Sequence, residues 1–105
     1  VCVFQPHTYS RTKSLFEQFS SSFIDADIVI LTKIYSSLRE KPDLTVSMPN
    51  LAKKIEFYGK KSLFLPKLSD VVEYINNQRF GKDVIVITMG AGDVYKISEN
   101  LKFKN

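Results

Sequence analysis

Four short apolar runs, each closed by a proline, a glycine or a polar cluster, constrain what this chain of 105 residues can become. Residues 1–4, 28–31, 62–65 and 84–88 are apolar with little interruption, the pattern of strands buried on both faces of a parallel sheet. Between them the period becomes helical. Leu15, Phe16, Phe19 and Phe23 recur at spacings of three and four, as do Val71, Val72 and Ile75, and then Val94, Ile97 and Leu101, so each set lines one side of a helix. Alternating strands and helices with short loops predict parallel strands joined by crossovers. The fold class is therefore α/β, a three-layer, open, mainly parallel sheet with helices on both faces.

Local chemistry sets the expected boundaries. Pro6 ends the first strand, and Ser10 is the expected N-cap of the helix that follows. Pro42 and Asp43 mark a loop, and residues 45–47 read as a short extended piece. Pro49 stands in the first turn of a helix whose Leu51, Ala52, Ile55 and Glu56 follow it and which Gly59 ends. Pro66 stops the third strand, and Ser69 is the expected cap of a helix over 70–78. The fourth strand, 84–88, is the clearest buried run; Gly90-Ala91-Gly92 is a turn, and 93–101 the closing helix.

Length bounds the chain at one domain, residues 1–105. With 44% hydrophobic and 25% charged residues the composition is that of a globular protein. Cys2, the single cysteine, lies inside a strand pattern and reads as buried. No apolar run approaches the length of a membrane span and no charged-then-apolar leader is visible, which predicts a cytoplasmic protein with no membrane partner. The chain opens directly on strand residues without Met, as an excised piece of a longer protein would. The formal charge is +4, and Lys53-Lys54 and Lys60-Lys61 form basic pairs. No aromatic platform is interleaved with them, so they read as solvated faces and no nucleic-acid partner is expected.

Ligands of open α/β sheets bind outside the carboxyl ends of the strands, which puts His7, Thr8, Tyr9 and Arg11 where a site is expected. Arg11 offers a fork of donors for a carboxylate or phosphate, and the His7 imidazole can donate or accept a hydrogen bond. With Ser10 as cap, Arg11 falls beside the positive end of its own helix, an unfavourable arrangement unless an anion joins them; a bound carboxylate would relieve it. Tyr35, Arg39 and Glu40, beyond the second strand, form a polar network at the cleft or an exposed loop. Gly90-Ala91-Gly92 lacks the third glycine of a dinucleotide loop, since Tyr95 stands there, leaving a tight turn or a ligand-contacting loop. One His, one Cys and scattered carboxylates give no metal-ligand spacing.

Three segments also carry a family resemblance. Phe4-Gln5-Pro6-His7-Thr8-Tyr9-Ser10-Arg11-Thr12 is similar to F-Q-P-H-R-Y-S/T-R-T. Residues 26–35, followed by Arg39-Glu40, resemble A-D-x-v-i-l-T-D-I-Y…R-E, and Thr88-Met89-Gly90-Ala91-Gly92-Asp93-Val94 resembles T-M-G-A-G-D-I. All three are segments of the UDP-N-acetylmuramate–L-alanine ligases, of the Mur ligase family, in the family's order. The resemblance runs from Val1 to about Leu101 and covers most of that family's C-terminal domain, an open Rossmann-like sheet. It implies a part of the ATP- and Mg2+-dependent enzyme that joins L-alanine to UDP-N-acetylmuramate in peptidoglycan synthesis through an acyl phosphate. The nucleotide and metal would be held mainly by the central ATP-binding domain, because no G-x-x-x-x-G-K-S/T occurs here. His7 and Arg11 would border the L-alanine pocket, with Thr8, Gly90, Gly92 and Asp93 beside it, and the isolated chain, holding no catalytic residue, would be inactive.

Two positions depart from the family pattern: Thr8 replaces a second arginine and Lys33 an aspartate. Either Lys13 supplies the missing charge or Arg11 acts alone. The resemblance further implies that the family's first strand and helix precede Val1, leaving part of a sheet face or edge uncovered. The alternative reading is a nonenzymatic Rossmann-like nucleotide-binding or regulatory module. Calorimetric titration of the chain with ATP or NAD separates the two: the ligase reading expects no tight binding, the module reading a saturable one.

Overall fold

A computed structural model describes residues 1–36 and 39–102. Ser37 and Leu38, part of the polar stretch expected after the second strand, lie outside the described residues, as do residues 103–105. The element order is β1 (Cys2–Gln5), α1 (Tyr9–Ser14), α2 (Phe16–Ser21), β2 (Ile28–Leu31), α3 (Met48–Phe57), β3 (Lys61–Phe64), α4 (Leu68–Gln78), β4 (Ile87–Gly90), a 3-10 turn (Asp93–Tyr95) and α5 (Lys96–Glu99). The strands form one sheet in the order β3-β2-β1-β4. All three pairings are parallel, with Val3 opposite both Ile30 and Thr88, and Ile30 opposite Leu63.

Strand alternation divides the core into two layers. On one face Val29 and Leu31 meet Leu51, Ala52 and Ile55 of α3, with Phe4, Phe16, Phe19 and Phe23 packed around them. On the other face Val3 and Ile30 meet Val71 and Ile75 of α4 and Val94 and Ile97 at the carboxyl end. Helices therefore cover both faces, as the apolar runs predict. The first face is also tied at its rim: Lys54 of α3 pairs with Glu17 of α2 and lies over the Phe16 ring.

Several boundaries differ from the sequence expectation, each for a local reason. The cap of α1 is Thr8, not Ser10, and the helical run breaks at Leu15, which faces solvent. Residues 45–47 form no strand: the Asp43 carboxylate accepts from the Thr45 N–H and hydroxyl and turns the chain at Thr45, and Ser47 has an extended backbone. Ser47 then caps α3, with Pro49 in its first turn. Helix α4 begins at Leu68 without a side-chain cap, so Ser69 lies inside it. Residues 93–101 are a 3-10 turn and one short helix rather than a continuous helix.

The largest correction concerns β4. It spans Ile87–Gly90 rather than 84–88, and it is largely exposed instead of buried. Among the described residues it pairs with β1 alone, whose residues 2–5 pair with 87–90, so the ladder can be no longer than β1 itself. Ile85 and Ile87 are 74% and 53% exposed. They flank an open apolar groove of about 740 Å3 that also takes in Phe4, Phe19, Phe23 and Met89. That groove agrees with the expectation of a sheet face left partly uncovered.

The first layer rests on α3. Truncating the fully buried Leu51 to Ala removes its contacts with β2 and leaves a cavity, and such changes cost about 2–5 kcal/mol. Denaturant unfolding of Leu51→Ala checks this, whereas Leu44→Ala, at a side chain 95% exposed, is expected to leave the midpoint unchanged.

Candidate functional site

The strand order creates a particular place. From β1 the chain moves outward through β2 to β3 and then returns to β4 on the other side of β1. The segments leaving β1 and β4 pack on opposite faces, Phe16 and Phe19 of α2 with one core layer and Val94 and Ile97 with the other. The carboxyl ends of β1 and β4 therefore mark the switch point of the sheet, the position at which open α/β sheets bind ligands.

The first wall is the corner after β1. Pro6 accepts a hydrogen bond from the Tyr35 N–H at 2.9 Å, and the Thr8 N–H donates to the Tyr35 carbonyl at 2.9 Å. These bonds set a parallel bridge between His7 and Tyr35, and the two rings lie 5.9 Å apart at 31°. Thr8 then turns sharply, with φ 60 and ψ 151, a region almost confined to glycine that costs about 1–3 kcal/mol. Side chain and backbone of Thr8 are both engaged: Oγ1 accepts from the Arg11 N–H, and the carbonyl accepts from the Thr12 hydroxyl. Thr8 thus serves the helix as its cap.

The second wall is the turn after β4. Gly90 has φ +155, and a Cβ there would lie 2.7 Å from the Gln5 carbonyl oxygen. A Cβ on Gly92 would lie 2.5 Å from Tyr35 Cδ2 and 2.7 Å from Gln5 Oε1. Both glycines are needed because the turn rides directly on β1 and on the Tyr35 ring. Asp93, exposed, opens the 3-10 turn.

The anion that the sequence called for at the start of α1 comes from the chain itself. Glu40 Oε2 accepts from the Tyr9 N–H at 2.9 Å and Oε1 from the Ser10 N–H at 2.6 Å. A carboxylate bound across two N–H groups at a helix start is favourable both as charge-assisted hydrogen bonds and with the helix dipole. Desolvation pushes the Glu40 carboxyl up, but the hydrogen bonds from Tyr9 and Ser10 and the nearby His7 outweigh it and hold it below its ordinary value. The loop is pinned again where Asp43 pairs with Lys13 at 3.5 Å. Lys13 is thereby engaged, which leaves Arg11, exposed and without an ion pair among the described residues, as the candidate for an incoming carboxylate.

His7, Thr8, Tyr35, Glu40, Gly90 and Gly92 are thus linked through one set of contacts around the ends of β1 and β4. Arg11 follows in the first turn of α1, and Arg39 is exposed. Gln5, which the sequence does not single out, also lies at this corner. It is 2% exposed, and its Oε1 has no hydrogen-bond partner; the signal available was a polar residue closing a buried strand. Among the described residues no three His, Cys, Asp or Glu side chains gather as a metal site, and no helix is long and apolar enough to cross a membrane.

Because the Glu40 contact needs the ionised carboxylate and its pKa is lowered on folding, it stabilises the protein above pH 4.5, the ordinary value, and is lost as pH falls below it. Glu40→Gln is expected to lower the melting temperature at pH 7, with the gap from the parent closing in acid. A constant gap from pH 7 to pH 3 would show that the charge is not involved.

No protein-family model matches the chain. Curated relatives match nearly all of it. It is 50% identical over 97 residues to a UDP-N-acetylmuramate–L-alanine ligase of Acetivibrio thermocellus, covering 92% of this chain and 20% of that protein. It is 44% identical over 99 residues to the ligase of that name from Lachnospira eligens, covering 94% and 21%. With the corresponding Clostridium acetobutylicum protein it shares 47% over 98 residues, covering 93% and 21%. The chain spans about a fifth of the length of these relatives.

Proposed function

Since nearly the whole chain matches one stretch of the UDP-N-acetylmuramate–L-alanine ligases, we propose that it is most of the C-terminal domain of such an enzyme, and that it positions L-alanine for amide formation with UDP-N-acetylmuramate. The observation that carries this reading is the corner at the carboxyl ends of β1 and β4, where a backbone bridge joins His7 to Tyr35, their rings lie together, and the Gly92 turn packs against the Tyr35 side chain. A rigid corner of this kind suits orientation of a small nucleophile, a contribution that can reach several kcal/mol.

Within the pocket, Arg11 binds the alanine carboxylate. The N–H groups at the start of α1 are already taken by Glu40, and the Thr8 hydroxyl by the Arg11 N–H, so the guanidinium rather than the helix end receives the ligand. His7 borders the pocket from the opposite side of the Thr8 corner, with Gly90, Gly92 and Asp93 forming its far wall. Glu40, with Tyr35, orders the loop rather than touching substrate. The sequence has no G-x-x-x-x-G-K-S/T loop to cradle the phosphates of ATP, and among the described residues no carboxylates gather to hold Mg2+. ATP and Mg2+ are assigned to the central ATP-binding domain, against which this domain would close, in the cytoplasm. The chain alone would be inactive.

Arg11→Ala in the full-length ligase is expected to raise the KM for L-alanine about tenfold or more, since a charge-assisted hydrogen bond contributes about 1.5–3 kcal/mol. The KM for ATP should stay within about twofold. Steady-state ADP release at varied alanine measures both, and unaltered alanine kinetics would remove Arg11 from the pocket.

A further inference from the structure

Gln5 is a side chain that packing does not explain. It closes the central strand, faces Gly90 across the β1–β4 ladder, and is 2% exposed. Its Oε1 is buried and accepts no hydrogen bond from the described residues. A buried carboxamide oxygen without a donor is destabilising, whereas methionine, of similar length, would fill the same space with no such cost. The Tyr35 ring and the Gly92 turn lie against it: the point a Cβ of Gly92 would occupy is 2.7 Å from Oε1 and 2.5 Å from Tyr35 Cδ2. No described residue donates to it, and a ligand is one source of the missing donor.

We propose that the Gln5 carboxamide oxygen is the acceptor for the amino group of the incoming amino acid, which makes Gln5 a substrate-binding residue at the switch point of the sheet. This rests on the ligase reading and deepens it. Gln5 lies where the chain segments after β1 and β4 part to opposite faces of the sheet, the position at which such folds admit a ligand. The path runs along the Tyr35 ring, which is 45% exposed and whose hydroxyl makes no hydrogen bond among the described residues. On this proposal, rotation of that ring away from Gly92 would open the way to Oε1. A neutral acceptor suits the chemistry. It orients one N–H of the amine while leaving the nitrogen lone pair free to attack, whereas a carboxylate in its place would favour the unreactive ammonium form.

The test uses two variants of the full-length ligase whose expected effects on folding and on binding run in opposite directions. Gln5→Met removes the acceptor without burying a charge. It is expected to melt no lower than the parent, to raise the KM for L-alanine at least tenfold and to leave the KM for ATP within twofold. Gln5→Glu keeps an acceptor but buries a charge; it should melt lower, keep the alanine KM within threefold and lose kcat. An alanine KM within twofold of the parent in Gln5→Met overturns the proposal. So does an equal rise in both KM values, an equal alanine defect in the two variants, or failure of Gln5→Met to fold, because each describes a residue that only shapes the domain. If the unaltered full-length protein shows no alanine-dependent ADP release with UDP-N-acetylmuramate, the ligase reading itself has failed, an outcome distinct from the others.

Discussion

Parallel pairing of β1 on both of its edges is the constraint on which this structure rests. A strand hydrogen-bonded to β2 on one side and β4 on the other cannot shift register without breaking two ladders and moving its apolar residues to the wrong face. With β1 so fixed, Pro6 and His7 emerge at a defined height, level with Tyr35 beyond β2 and with the glycines beyond β4. The candidate site follows from where a central strand ends and from how little space its neighbours leave.

The elements most legible in the sequence are those whose cause is local. Ile28–Leu31 agrees with its expected boundaries because a continuous β-branched run flanked by polar residues has few other homes. Helix α3 is legible through Pro49 and the spacing of Leu51, Ala52 and Ile55. The boundaries that moved depend on distant partners. Thr8 rather than Ser10 caps α1 because Tyr35 binds the Thr8 N–H and Glu40 takes the N–H groups of Tyr9 and Ser10, contacts across roughly thirty residues that no local pattern announces. β4 looked buried because its side chains are apolar, but exposure is decided by what covers a strand, and among the described residues β4 has a strand on one side only.

The site was legible in part for the same reason. His7, Thr8 and Arg11 could be named from strand-end logic, and the family resemblance added the glycine turn. Their interplay was not visible. Sequence reading asked for an anion beside Arg11 and supplied it as ligand, whereas Glu40 meets that electrostatic demand from within. Gln5 escaped notice because a polar residue before proline looks like a strand terminator, and only its burial without a donor distinguishes it.

The crossed contacts at the Thr8 corner also tie together events that would otherwise be independent. The amide protons of Thr8, Tyr9 and Ser10 are all held by acceptors on the 35–40 stretch, the Tyr35 carbonyl and the two Glu40 oxygens. Exchange at the three positions is slowed for as long as Tyr35 and Glu40 hold these contacts, which also flank the unusual backbone angle of Thr8. Deuterium uptake at three consecutive positions therefore reads out a single opening, and the pocket wall behaves as one small cooperative unit.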